Sequence, residues 1–229
     1  LLPFRTRGVP RSGDARPGIA AASALLSRLS AGQPVDVEQA APEHPGFAAS
    51  GLAWLFPCRV NGEVIAANRY FGYHEAVRWD SDDYIVLGSL PGHVESIANG
   101  ISADGAVIVG TTAFSGGRAF RWDATSGVVD LGTLGGCRSW SLDVTSGVVV
   151  GASTLATSEL AQHAFVWQPA TGMRDLGTQG GSQSQAVAVS TAGRVAGSAS
   201  TSAEQVHAVV WDPPARSVTL RATDVADTY

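Results

Sequence analysis

Short runs of alternating apolar and polar residues fill most of this chain, and they return at a fixed interval. Trp79, Trp122, Trp167 and Trp211 mark the interval, with spacings of 43, 45 and 44 residues. Each closes a similar stretch: Glu75-Ala76-Val77-Arg78-Trp79, Arg118-Ala119-Phe120-Arg121-Trp122, His163-Ala164-Phe165-Val166-Trp167 and His207-Ala208-Val209-Val210-Trp211. A turn and then Leu-Gly follow three of them, at Leu87-Gly88, Leu131-Gly132 and Leu176-Gly177, with Leu220-Arg221 as a degraded fourth. Upstream of each lies a second marker: Val64-Ile65-Ala66-Ala67, Val107-Ile108-Val109-Gly110, Val148-Val149-Val150-Gly151 and Arg194-Val195-Ala196-Gly197. Several markers keeping one period identify four copies of a single unit, from about Leu52 to about Leu220.

Each unit divides into four short strands. In the second copy they are expected at 96–101, 106–111, 118–122 and 128–133. The turn Ser102-Ala103-Asp104-Gly105 joins the first two, and its Asp-Gly supplies positive φ. Strand three alternates: Phe120 and Trp122 share one face, while Ala119 and Arg121 share the other. Bulk on one face and Ala on the other suits stacked sheets, because the bulk of one fills the recess of its neighbour. Four-stranded units of about 44 residues are the mark of a propeller blade. The predicted fold class is therefore all-β, a β-propeller of four blades with four antiparallel strands each. A β-solenoid is the competing architecture. The ring either closes with four blades, the preferred reading, or is part of a larger one.

Domain boundaries follow from where the repeat stops. Residues 1–50 form a leader, largely irregular with a short helix expected at 19–29; residues 51–222 form the propeller and 223–229 a tail. Arg5, Arg7, Arg11 and Arg16 precede an apolar stretch, but it is too short and interrupted for a secretion signal.

Composition adds three constraints. The chain has 27 Gly and only 15% charged residues, which favours strands joined by tight turns over helices. The net charge is −5, and Arg is the only strongly basic residue type. No broad basic surface is available for phosphates, so nucleic acid is not an expected partner. No run approaches the ~18 apolar residues of a membrane span. The two cysteines, Cys58 and Cys137, are either one bridge or two inert thiols.

The repeat resembles the bacterial extracellular HAF repeat, named for His-Ala-Phe. His163-Ala164-Phe165 stands ahead of Trp167, Asp123-Ala124-Thr125 leads to Gly127, and Leu131-Gly132-Thr133-Leu134-Gly135-Gly136 and Ser102-Ala103-Asp104-Gly105 complete the pattern. The first copy departs from it, with Glu75-Ala76-Val77 and Leu87-Gly88-Ser89-Leu90-Pro91-Gly92. The resemblance implies secretion or surface display in bacteria and carries over no catalytic residue.

Candidate chemistry is sparse. The four repeat tryptophans read as packing anchors between blades. Trp54 and Trp140 fall at equivalent places in strand one, where Ile97 and Gln185 stand in other copies, and two indoles at a channel mouth could stack on sugar rings. The corners joining strand four to the next strand one carry His93, Arg138 and Gln183 and vary between copies. These five residues form the expected ligand site. His163 and His207 sit one blade apart, too far to share a metal, and read as hydrogen-bonding groups at the start of strand three. Asp80, Asp123 and Asp212 read as turn residues. No metal and no cofactor is expected. The expected function is a secreted, non-enzymatic module recognising a glycan or protein through one rim. An extracellular polysaccharide hydrolase or lyase at the channel mouth is the alternative, and would need two acids about 5–10 Å apart.

Overall fold

A computed structural model of the chain describes residues 59–60, 64–70, 72–79, 84–112, 116–212 and 218–219. The expected leader and tail, Trp54, Cys58 and Asp80 lie outside the described residues.

The described residues are all-β, without a helix, and the four repeats appear as four consecutive quartets of strands. The first blade contains β1 (Arg59–Val60), β2 (Ile65–Tyr70), β3 (His74–Trp79) and β4 (Tyr84–Val86). The second contains β5 (Ile97–Ile101), β6 (Val107–Thr111), β7 (Ala119–Asp123) and β8 (Gly127–Asp130). The third contains β9 (Gly135–Thr145), β10 (Val148–Leu155), β11 (Ser158–Gln168) and β12 (Gly172–Gly177). The fourth contains β13 (Gly180–Val189), β14 (Val195–Thr201), β15 (Val206–Trp211) and β16 (Val218–Thr219). Within each blade the strands run antiparallel in chain order. The third and fourth blades also join through a parallel bridge, Gln162 to Gln183. The first strands β5, β9 and β13 lie against one another in succession, and the fourth strands make no comparable approach. The blades therefore fan outward from their first strands.

Packing follows the alternation in strand three. Phe120 and Trp122, with Ile108, pack against Ala66 and Ala76 of the first blade. Phe165 and Trp167, with Val149, pack against Val109 and Ala119 of the second. Val209 and Trp211, with Val195, pack against Val150 and Ala164 of the third. Ala76, Ala119, Ala164, Phe120 and Phe165 have no solvent exposure. Each small face receives the next large face, so the apolar core is distributed between blades.

Two sets of glycines permit this closeness. A Cβ on Gly110, Gly151 or Gly197 would meet the carbonyl oxygen of Ile97, Trp140 or Gln185 at 2.0, 2.0 and 1.9 Å. Strand one presses its backbone onto strand two there, and register shifts follow directly, between Ala98 and Gly100 and between Ala186 and Ala188. The Gly-Gly corners also differ from simple turns. Gly136 and Gly181 are inside β9 and β13, where a Cβ would fall 2.2 Å from Thr154 Oγ1 and Ser200 Oγ.

A serine fastens each pair of blades. Ser96 Oγ accepts the Ala76 N–H at 3.0 Å, Ser139 Oγ that of Ala119 at 2.9 Å, and Ser184 Oγ that of Ala164 at 2.8 Å. Ser139 and Ser184 also donate to the carbonyls of Gly132 and Gly177, each at 2.6 Å. All three serines are buried. Asn68 adds to the first interface, donating to Ala98 O and accepting from Ala98 N.

The expected closed ring is corrected. Val77 and Trp79 on the first blade are buried, whereas Ala196 and Ala208 on the fourth are exposed. Closure would press these faces together, so the four described sheets form an open stack. Repeat patterning specifies how one blade meets the next. It does not specify how many steps complete a circle.

Candidate functional site: the corner rim

Antiparallel strands place alternate connections at opposite ends of a blade. The hairpins joining strands two and three therefore share a rim with the corners joining strand four to the next strand one. Hydrogen bonds tie these two loop sets together. Ser96 N donates to His74 O at 3.0 Å, Ser139 N to Gly117 O at 2.9 Å, and Gln179 N to Ser200 O at 3.0 Å.

Of the five expected site residues, His93 lies in a corner loop, whereas Arg138, Trp140 and Gln183 lie on the first strands β9 and β13, so the expected loop placement of Arg138 and Gln183 is corrected; Trp54 is outside the described residues. His93 is half-buried in the first corner, its N–H donating to Leu90 O at 3.0 Å. Arg138 is exposed on β9 just after the second corner, its N–H held by Thr154 Oγ1 at 3.0 Å. Gln183 is exposed on β13 just after the third, its N–H held by Ser200 Oγ at 3.0 Å. Trp140 is half-buried on β9, two blades from where Trp54 was expected to face it. Cys137 is exposed beside Arg138.

Sequence reasoning overlooked the hairpin tips. Among the described residues, the exposed large apolar side chains are Tyr70, Tyr73, Ile85, Val86, Val94, Leu160, Val187 and Val206. Five belong to the corner rim: Tyr70 and Tyr73 at the first hairpin, Leu160 at the third, Val206 at the fourth and Val94 in the first corner. Leu160 is 86% exposed, Val94 72% and Val206 68%. A solvent-facing Leu or Val at a strand end was visible in the sequence, but nothing there showed that the ends meet on one rim.

Charged groups on this rim are largely paired across strands three and four. Arg118 binds Asp130 at 2.9 Å, and His163 Nδ1 binds Asp175 at 2.8 Å in the next copy. The same aspartates accept the N–H of Gly132 and Gly177. His163 thus has the hydrogen-bonding role expected of it. In the first copy Glu75 pairs with Arg69 at 2.6 Å. On the opposite rim Asp104 and Asp123 close their own turns, and Asp212 pairs with Arg194. Asp104 is held below the usual carboxylate range by the Ser102 hydroxyl and the Ala106 N–H. Asp123 is lowered chiefly by the Ser126 N–H, with Thr125 and Arg121 adding to it. Asp212 is lowered by Arg194. Among the described residues, no three His, Cys, Asp or Glu side chains gather as a metal site. No described helix is long and apolar enough to cross a membrane.

No family description and no curated protein matches this chain. Solved structures do. TolB from Acinetobacter baumannii superposes with a TM-score of 0.49 at 16% identity, covering 66% of this chain and 39% of that one. A prolyl endopeptidase gives 0.49 at 13% identity, over 70% of this chain and 27% of that one. The β-propeller domain of the Trilobed protease from Pyrococcus furiosus gives 0.46 at 12% identity, over 75% and 53%. The chain thus spans well under two thirds of each.

Proposed function

We propose that this chain is a propeller-type recognition module of the bacterial cell exterior, non-enzymatic, which binds a partner through its corner rim. The supporting observation is that, among the described residues, five of the eight exposed large apolar side chains lie on that rim, while on the opposite rim Asp104 and Asp123 bond within their own turns and Asp212 pairs with Arg194. Apolar surface gathered at one end of a rigid framework is how docking surfaces are made. The aliphatic members, Val94, Leu160 and Val206, offer no flat face to a sugar and favour a protein partner. Tyr70 and Tyr73 favour a glycan as the second reading, because phenol rings stack on sugars and hydrogen-bond at the edge. The extracellular setting rests on the HAF resemblance.

Site-specific photo-cross-linking tests this reading. A cross-linker at position 160 should capture a discrete surface protein on intact cells, and one at exposed Ser126 on the opposite rim should not. A glycan array decides the second reading, with Tyr73→Ala expected to lower any signal about tenfold. Equal capture from both rims, with an empty array, would remove the rim from consideration.

A further inference from the structure

The outward face of the fourth blade repeats a surface that is covered three times elsewhere in the chain. Strand pairing sets Asn68 opposite Ala76, Thr111 opposite Ala119, Ala152 opposite Ala164 and Ser198 opposite Ala208. In the first three blades that face bears the next blade: Ala76, Ala119 and Ala164 are wholly buried under its β-branched and aromatic residues. In the fourth blade Ala196 and Ala208 are exposed, Ser198 and Val210 are half-buried and Val206 is 68% exposed. The other face of the same sheet is fully engaged, with Val209 and Trp211 each 3% exposed against the third blade.

Each covered face also receives a hydroxyl from the blade that covers it. Ala76, Ala119 and Ala164 each donate their N–H to a serine from the following blade. Ala208 occupies the same place in β15 and presents its N–H on the same side.

We infer that this face is a blade acceptor whose occupant is a further β-sheet of the same repeat. That sheet would present a Phe-x-Trp type large face and a strand-one serine. The geometry of the three existing interfaces specifies the ligand: bulk to fill the recess over Ala196 and Ala208, and a hydroxyl for the Ala208 N–H. A second copy of this chain fits poorly, because the large face of its first blade, Val77 and Trp79, is already buried. Two fourth-blade faces pressed together would oppose small residues to small residues and leave a void, which close-packed interfaces avoid. Val206 borders both this face and the corner rim, but Ala196, Ser198 and Ala208 belong to this face alone.

Amide hydrogen exchange on the full chain, with and without one added repeat, tests it. In the unextended chain the Ala208 amide should exchange at least about tenfold faster than those of Ala76, Ala119 and Ala164, at every protein concentration. Extending the full chain at its C-terminus with a copy of residues 135–177 should slow Ala208 exchange at least about tenfold. Ala208→Trp should remove the associated rise in melting temperature in the extended chain and leave the unextended chain unchanged. A second extension, a copy of residues 94–134, should act similarly, since that repeat already packs on an equivalent face. Protection of Ala208 in the unextended chain would overturn the proposal. Concentration-independent protection would show that the chain covers the face itself, and concentration-dependent protection that a second copy does. Failure of both extensions to protect Ala208 would equally refute it.

Discussion

Replacing Ser139 with alanine removes one oxygen from the interface between the second and third blades. Ser139 has no exposed surface, and its hydroxyl serves two backbone groups, accepting from Ala119 N at 2.9 Å and donating to Gly132 O at 2.6 Å. Ala119 is also wholly buried, so water cannot replace the lost acceptor. An orphaned buried N–H costs about 1–3 kcal/mol. Gly132 is only half-buried, so the lost donor to its carbonyl adds less. The Ser139→Ala variant should therefore lose about 2–3 kcal/mol in urea unfolding, with an unchanged m-value. Exposed Ser126→Ala should change stability by less than about 0.5 kcal/mol. Amide exchange localises the effect, because Ala119 should lose protection before Phe165 does. Ser184→Ala should reproduce the pattern at Ala164. A loss below about 0.5 kcal/mol for both serine variants would show that these hydrogen bonds do not hold the blades, and the reasoning would fail.

Trp122→Ala should cost on the order of 3–5 kcal/mol, since a buried indole leaves a void against the first blade; a urea midpoint shift worth less than about 1 kcal/mol would contradict the packing account. Gly151→Ala places a Cβ 2.0 Å from the Trp140 carbonyl oxygen, and should cost at least about 1–3 kcal/mol by overpacking, whereas an unchanged midpoint would mean that strand one is free to shift. Stability should also fall in acid partly through Asp104. Its folded carboxyl is held low chiefly by the Ser102 hydroxyl, so its contribution is present above the unfolded value of about 3.9. That contribution is lost as pH falls through the lower folded value. Asp104→Asn should flatten the urea-midpoint profile below about pH 4, and an unaltered profile would show that the carboxylate contributes nothing.

Much of this fold was legible in the residues because its decisive pattern is local. The Trp period, the Ala opposite each bulky residue and the Asp-Gly turn are set by strand alternation and turn chemistry within one repeat. These fixed the all-β class, the four quartets of strands and the large-face-to-small-face stacking. The serines were not legible in the same way. Ser96, Ser139 and Ser184 look like ordinary strand-one polar residues until the preceding blade brings Ala76, Ala119 and Ala164 within hydrogen-bonding distance. The Gly of Val-x-Val-Gly marked the period, but only the structure shows a carbonyl pressing on it. His93 was readable as a loop position, whereas Arg138 and Gln183, expected in corner loops, lie inside the long first strands β9 and β13; Tyr73, Leu160 and Val206 share their rim only because antiparallel strands bring hairpin tips and corners to one end. Closure was likewise decided by the tertiary arrangement. Sequence periodicity encodes the contact between one blade and the next, whereas the number of blades in a ring depends on how the angle between blades accumulates, a property of the whole stack that no single repeat contains.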